Sequence, residues 1–114
     1  MSVAQKIFDR ETMLERLGGD DELLGEVVEL FSEECPGMIA ALRSAISAQN
    51  SKAMQLAAHS LKGALLNIAA DSAAEVACKL EDLADEAQFD GTESLFAELT
   101  QALEQLDSEL NSQS

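Results

Sequence analysis

The residue of this sequence best suited to chemistry is its one histidine, His59, in the stretch AHSLKG at residues 58–63. An imidazole can act near neutral pH as a nucleophile, a proton carrier or a metal ligand. On a helix that turns about 100° per residue, His59 falls opposite the apolar stripe and therefore faces solvent. That stripe consists of Met54, Ala57, Ala58, Leu61, Leu65 and Ile68. The position argues against a buried structural histidine, and an unused surface histidine stays open.

Two neighbours make His59 more than an isolated surface residue. Lys62 follows at i+3, from where its ammonium can reach a phosphoryl group placed on the imidazole. Gly63 follows at i+4, and a glycine inside a helix costs about 1 kcal/mol relative to alanine. A close contact between helices would explain a glycine on the core face. Because Gly63 lies on the exposed side, we expect it to admit a partner close to His59.

The charge pattern indicates what kind of partner this would be. The chain has 22 acidic and 7 basic residues and a net charge of −15, which disfavours nucleic acid and anionic membranes as partners. Residues 35–70 nevertheless contain no Asp or Glu. The surroundings of His59 are thus locally basic, and an acidic cleft on another protein would be attracted there. We expect the docking face to include Arg43, Lys52, Gln55, Leu56 and Leu66.

Several kinds of chemistry at His59 are disfavoured by what the sequence lacks. A metal site would need further ligands, and there is neither a second histidine nor a Cys-x-x-Cys pair. Ser60 points elsewhere on the helix, so a hydrolase triad has weak support. An ATP-dependent kinase needs a glycine-rich phosphate loop, and the sequence has none. The chemistry that remains is nucleophilic attack by His59 itself on phosphorus. A protein that does this is a phosphoryl carrier and not a self-sufficient enzyme.

The composition predicts that helices position these residues. Only 4% of the residues are aromatic, and the chain has six glycines and one proline. Such a composition favours helices over a many-stranded fold. Capping residues and apolar spacing predict five helices, which begin near Asp9, Asp21, Ser51, Asp71 and Thr92. We expect Asp71-Ser72 to cap the fourth helix, and Pro36 to kink or briefly break the second near Glu34.

Four substantial amphipathic helices joined by short turns predict an all-α fold, an antiparallel up-and-down four-helix bundle with a short additional N-terminal helix. We expect one domain over residues 1–114, with the short helix at about 9–17, the bundle core at about 20–110 and a frayed tail at 111–114. Cys35 and Cys78 are predicted to be small buried hydrophobes in a reducing compartment. We expect no signal peptide in residues 1–10, which have no long apolar run, and no apolar run of the sequence suits a membrane span. These features predict a cytoplasmic protein.

The sequence resembles the histidine phosphotransfer (HPt) domains of two-component phosphorelay signalling. The family motif A-H-x-L-K-G stands at residues 58–63, followed by Asn67 and by the pair Leu80-Glu81 in the next helix. Upstream, Leu30-Phe31, Pro36 and Leu42 are similar to the family's entry into the second helix. The resemblance spans roughly residues 8–110. It departs from the common pattern at Ala64, where many members have Ser, and at Ala69, where a Gly commonly ends the helix.

The resemblance implies that His59 accepts a phosphoryl group, through Nε2, from the aspartate of a receiver domain and passes it to another receiver. Lys62 would stabilise the phosphoryl charge, Gly63 would leave room for the receiver, and Glu81 would orient the imidazole. Magnesium would belong to the receiver, and the chain would be a monomer without a cofactor. Two alternatives stay open: a module of a hybrid or chemotaxis-type kinase phosphorylated by an ATP-dependent kinase domain, and a helical adaptor that is never phosphorylated.

Overall fold

The computed structural model describes residues 9–112 and folds them into five α-helices. Their bounds are α1 Arg10–Arg16, α2 Asp21–Ser47, α3 Ser51–Asn67, α4 Asp71–Asp85 and α5 Thr92–Ser112. No strand occurs between residues 9 and 112. The all-α prediction is therefore confirmed. The helix starts agree with the sequence prediction to within one residue.

Local capping explains why three of the helices begin where they do. The side chains of Asp9, Asp20 and Asn50 each accept a hydrogen bond from the backbone N–H three residues ahead, at 3.0–3.1 Å. Such caps satisfy amide groups that have no partner within the helix. At α4 the prediction of an Asp71-Ser72 cap is wrong. The N-cap there is Ala70 without a side-chain bond, and Asp71 instead places its charge in the first turn.

The second helix runs without a break through Pro36. Of the two outcomes predicted for Pro36, the break does not occur, and a kink near Glu34 stays a prediction. Pro36 removes one backbone donor, but buried residues anchor α2 to the core on both sides of it, with Phe31 before the proline and Leu42 after it. Burial of this apolar stripe outweighs the loss of one hydrogen bond.

The core lies between α2, α3, α4 and α5, with α1 packed against α2. Helices consecutive in the chain pack together, and α3 makes its most extensive contacts with α4 and then with α2. The largest fully buried hydrophobic side chains are Met13, Leu42, Met54, Leu61, Leu65, Ile68, Leu80, Leu99 and Leu106. No helix between residues 9 and 112 is long and apolar enough to cross a membrane.

Two smaller expectations need correction. Cys35 and Cys78 are free thiols but only half-buried, because each lies at the edge of its helix's core stripe. Burial and then the nearby Asp107 carboxylate raise the pKa of the Cys35 thiol. The tail predicted to fray from residue 111 is helical through Ser112, while residues 113–114 lie outside the described part. Residues 1–8, for which no signal peptide was predicted, also lie outside it.

Three helices are followed, two residues after their last residue, by a left-handed residue that is not glycine. Gln49, Ala69 and Ala87 have φ values of 51°, 58° and 54°, a region in which a Cβ costs roughly 1 kcal/mol. Glycine usually occupies this position after a helix. Ala69 after α3 is thus left-handed, at the position where the HPt domains that the sequence resembles commonly have a glycine.

We expect Ala87→Gly to raise the free energy of unfolding by about 1 kcal/mol, because glycine adopts the left-handed conformation without the Cβ contact. The control is Ala97→Gly, another exposed alanine but inside α5, which should lower stability by about 1 kcal/mol. Urea unfolding followed by far-UV circular dichroism measures both. Equal destabilisation by the two substitutions would contradict the strain at Ala87.

Candidate functional site

The side chain of His59 projects outward from α3 and is 66% exposed. Its helix neighbours Ala58 and Leu61 are fully buried, so the core stripe fixes the rotation of α3 and points His59 away from the core. The side predicted from the spacing of apolar residues is the side observed. The ring is therefore accessible to another molecule.

Glu81 of α4 holds one edge of this ring. Its Oε2 lies 2.8 Å from Nδ1 of His59, and the glutamate side chain is only 18% exposed. An ionised carboxylate only accepts hydrogen bonds, so Nδ1 must carry the proton that it donates. In the neutral ring the free lone pair is then at Nε2. The contact thus selects Nε2 as the nucleophilic atom.

Lys62 holds the second oxygen of the same carboxylate. Its Nζ lies 2.7 Å from Oε1 of Glu81. At this distance the contact is an ion pair in which Lys62 compensates the charge of the buried Oε1. Lys62 first, and then His59, lower the pKa of Glu81 although its burial acts in the opposite direction. Glu81 in turn raises the pKa of Lys62.

The carboxylate of Glu81 therefore binds two side chains of α3 at once, one through each oxygen. The two interactions hold the glutamate ionised and keep the imidazole from rotating. They also direct the ammonium of Lys62 toward Glu81. A role of Lys62 at a phosphoryl group requires this ammonium to be shared with Glu81 or to leave it.

Gly63 lies on the same exposed face, one turn beyond His59. A Cβ built on it would meet no described atom within 4 Å, and its φ is not in the left-handed region. Neither a close helix contact nor a special backbone conformation therefore requires glycine here. Access for a partner, the interpretation drawn from the sequence, stays a prediction.

The structure places most of the predicted docking residues around His59. Lys52 is exposed, and Leu56 and Leu66 are 57% and 45% exposed. Gln55 lies one turn before His59 and donates to Oδ1 of Asp85 at 3.3 Å, a second polar link between α3 and α4. Asp85 was missed from the sequence, although its position one turn after Glu81 was a usable signal.

Arg43 lies elsewhere. Its guanidinium stands 5.2 Å from the ring centroid of Phe96 in α5, a cation–π contact between α2 and α5. It therefore belongs to the flank of α2 that faces α5, whereas His59 lies at the α3–α4 contact. Its position does not support the predicted place in the docking face.

Within residues 9–112, no group of three or more His, Cys, Asp or Glu side chains could hold a metal ion. The chemistry available at the site is that of the imidazole, the carboxylate and the ammonium. Together they provide a nucleophile with a fixed proton, a counter-charge for the ring and a nearby cation.

Comparison with known proteins gives one match. The family model described as Hpt domain matches residues 26–109, which is more than half of the chain and includes His59, Lys62, Gly63 and Glu81. No curated protein and no solved structure matches the chain significantly.

We expect the neutral imidazole of His59 to carry its proton on Nδ1, and Glu81→Ala to shift it toward Nε2, the form favoured by an unconstrained histidine side chain. The reason is that alanine removes the acceptor that holds the Nδ1 proton. Nitrogen-15 chemical shifts of the ring measure the tautomer, and Glu75→Ala, an exposed position of α4, is the control. The same tautomer in wild type and Glu81→Ala would show that the contact does not control the ring.

Proposed function

Because the chain belongs to the Hpt domain family, we propose that His59 accepts a phosphoryl group from the aspartate of one receiver domain and passes it to a second. An Hpt domain is a phosphoryl carrier in two-component signalling and not a kinase. The observation that carries the assignment to His59 is the 2.8 Å contact from Glu81 to Nδ1 on a ring that is 66% exposed. In the neutral ring this contact places the free lone pair at Nε2, on an exposed side chain.

The transfer follows from that geometry. The Nε2 lone pair attacks the phosphorus of the aspartyl phosphate, an N–P bond forms and the P–O bond to the aspartate breaks, so the aspartate leaves as a carboxylate. The phosphorylated ring keeps its proton on Nδ1 and becomes positively charged. Glu81 lies against that proton and stabilises the charge as it develops. Transfer to a second receiver reverses these steps.

Lys62 is the cation available to the phosphoryl group. In α3 it stands one turn from His59, and its ion pair with Glu81 keeps its ammonium beside the ring. A phosphoryl group on Nε2 would compete with Glu81 for this ammonium, because both are anions. We assign to Lys62 the stabilisation of the phosphoryl charge, and we assign magnesium, which the chain is not expected to hold, to the receiver.

The docking face that we propose surrounds His59 on α3. It consists of Lys52, Gln55, Leu56, Gly63 and Leu66, and we leave out Arg43 because it packs against Phe96. Exposed leucines beside a basic patch suit a partner whose active site is acidic.

The short turns at residues 48–50, 68–70 and 86–91 join helices that pack against each other. They support an antiparallel up-and-down arrangement of α2 to α5. The monomeric state and the location in the cytoplasm stay predictions from the sequence.

We expect phosphoramidate, a small phosphoryl donor that needs no protein partner, to place an acid-labile and alkali-stable label on the wild type and none on His59→Gln. Ser60→Ala is the control and should be labelled fully, because Ser60 points away from Glu81. Labelled protein is then incubated with receiver domains of the source cell, and loss of the label to a receiver supports transfer.

The labelling results distinguish the functional hypotheses that the sequence left open. Full labelling of His59→Gln would show that His59 is not the acceptor. A label that arrives only from an ATP-dependent kinase domain would favour the kinase module. Absence of a label from every donor would favour an adaptor that is never phosphorylated.

We expect Gly63→Gln to slow transfer to a receiver by at least about tenfold, or ~1.4 kcal/mol, because the new side chain would occupy the space beside His59. Labelling by phosphoramidate should stay within about twofold of wild type. Gly25→Gln, the same change at another exposed helical glycine, is the control. Transfer at the wild-type rate in Gly63→Gln would contradict the access role of this glycine.

A further inference from the structure

The contact between α2 and α5 contains a groove of about 420 Å³. Of the neighbouring helix pairs among α2 to α5, these two helices contact each other least, so the core is least closed on this side. Apolar groups form most of the groove surface, and they come from Phe31, Cys35, Pro36, Ile39, Leu103 and Leu110. The groove lies across the bundle from the α3–α4 contact that holds His59 and Glu81. Phosphotransfer at His59 therefore gives it no role.

The two ends of this groove differ in charge. Glu104 and Asp107 of α5 are exposed toward the end at Leu110. The charge of Asp107 acts inside the groove, since burial and then this carboxylate raise the pKa of the Cys35 thiol. Arg43 lines the other end, with its guanidinium over the ring of Phe96. A cationic group is therefore attracted to the Leu110 end and repelled from the Arg43 end.

Residues 1–8 join the described structure at the acidic end of the groove. The backbone N–H of Asp9 donates to the carbonyl oxygen of Ala69 at 3.3 Å, which fixes this point at the turn between α3 and α4. Ser72, just after the turn, lines one surface groove together with Gln105 of α5. The residues of α5 that follow Gln105, including Asp107, therefore lie level with the turn.

Residues 1–8 are also long enough to enter the groove. Neighbouring helices lie about 8–10 Å apart, so the groove is about one and a half helix spacings, or roughly 15 Å, from the turn at residues 68–70. The six residues from Val3 to Asp9 span up to about 20 Å when extended. Val3 can therefore reach the apolar part of the groove, and the long side chain of Lys6 can reach its acidic end.

The composition of residues 1–8 complements the groove. Their sequence, MSVAQKIF, contains Lys6, several apolar residues and no Asp or Glu. It thus matches apolar surface bordered by Glu104 and Asp107. A second copy of the chain fits less well, because it would bring its own net charge of −15 toward these carboxylates.

We propose that residues 1–8 dock in the groove between α2 and α5 of the same chain, with Val3 over its apolar part and Lys6 beside Glu104 and Asp107. The segment then closes the side of the core on which the helices contact each other least, and it shields the thiol of Cys35. This docking involves no residue of the His59 site, so it is independent of the proposed phosphotransfer.

The two cysteines provide the measurement, because Cys35 lines this groove and Cys78 lies at the contact between α3 and α4. Both are free, half-buried thiols. Maleimide labelling of the whole chain, followed by mass spectrometry of its peptides, gives the rate at each thiol. We expect Val3→Asp and Lys6→Glu each to raise the rate at Cys35 by at least about fivefold, because labelling follows the fraction of time that the thiol is uncovered. The rate at Cys78 should stay within about twofold of wild type.

Two control variants separate docking from a general effect of charge. Leu23→Asp adds the same charge at an exposed apolar position of α2 outside the groove, and Lys6→Arg keeps the positive charge at its position. Both should label like the wild type. Unchanged labelling of Cys35 in either Val3→Asp or Lys6→Glu, or an equal increase at Cys78, would overturn the proposal.

A disulfide tests whether the segment docks on its own chain. Val3→Cys combined with Cys78→Ser leaves thiols only at position 3 and at Cys35, and oxidation by diamide should link them within one chain. Leu23→Cys with Cys78→Ser is the control, since position 23 is about 18 Å from Cys35 along α2, too far for a disulfide. Non-reducing gels and mass spectrometry identify the link. A disulfide between two chains would assign the groove to a second copy, and either this result or the absence of a link would refute the docking.

Discussion

The site depends on one carboxylate that joins two helices. Glu81 of α4 contacts Nδ1 of His59 at 2.8 Å and Nζ of Lys62 at 2.7 Å, and both partners belong to α3. The first contact fixes the proton of the ring, and the second keeps the carboxylate charged although it is largely buried. If either α3 or α4 rotated, the ring would lose its fixed tautomer. The packing of these two helices is therefore a condition for the chemistry and not only for stability.

Small residues make this packing possible. The face of α4 that enters the core is rich in alanine, with Ala73, Ala77 and Ala84 buried, and Ala58 of α3 is buried beside His59. Short side chains let two helices approach closely. A carboxylate on one helix can then reach an imidazole and an ammonium on the other. The second link between the helices, from Gln55 to Asp85, is at 3.3 Å and lies one turn away from the first.

The surfaces on the two sides of His59, toward α4 and away from it, differ in their chemical groups. On the side of α4, charged groups orient the ring and compensate its charge. On the side away from α4, the exposed surface of α3 has Leu56 and Gly63 and no acidic residue, which are properties of a surface that another protein can cover. His59 thus lies at the boundary between a region that prepares the nucleophile and a region that can admit the phosphoryl donor.

The sequence by itself determined the five helices and the outward direction of His59, because helix periodicity and capping act between residues close in the chain. It suggested Glu81 only through the resemblance. Only the tertiary structure decided that Glu81 meets both His59 and Lys62, that Arg43 packs on Phe96 instead of joining the site, and that α2 continues through Pro36. These outcomes depend on which helices become neighbours and how much apolar surface they bury together, which no local spacing specifies.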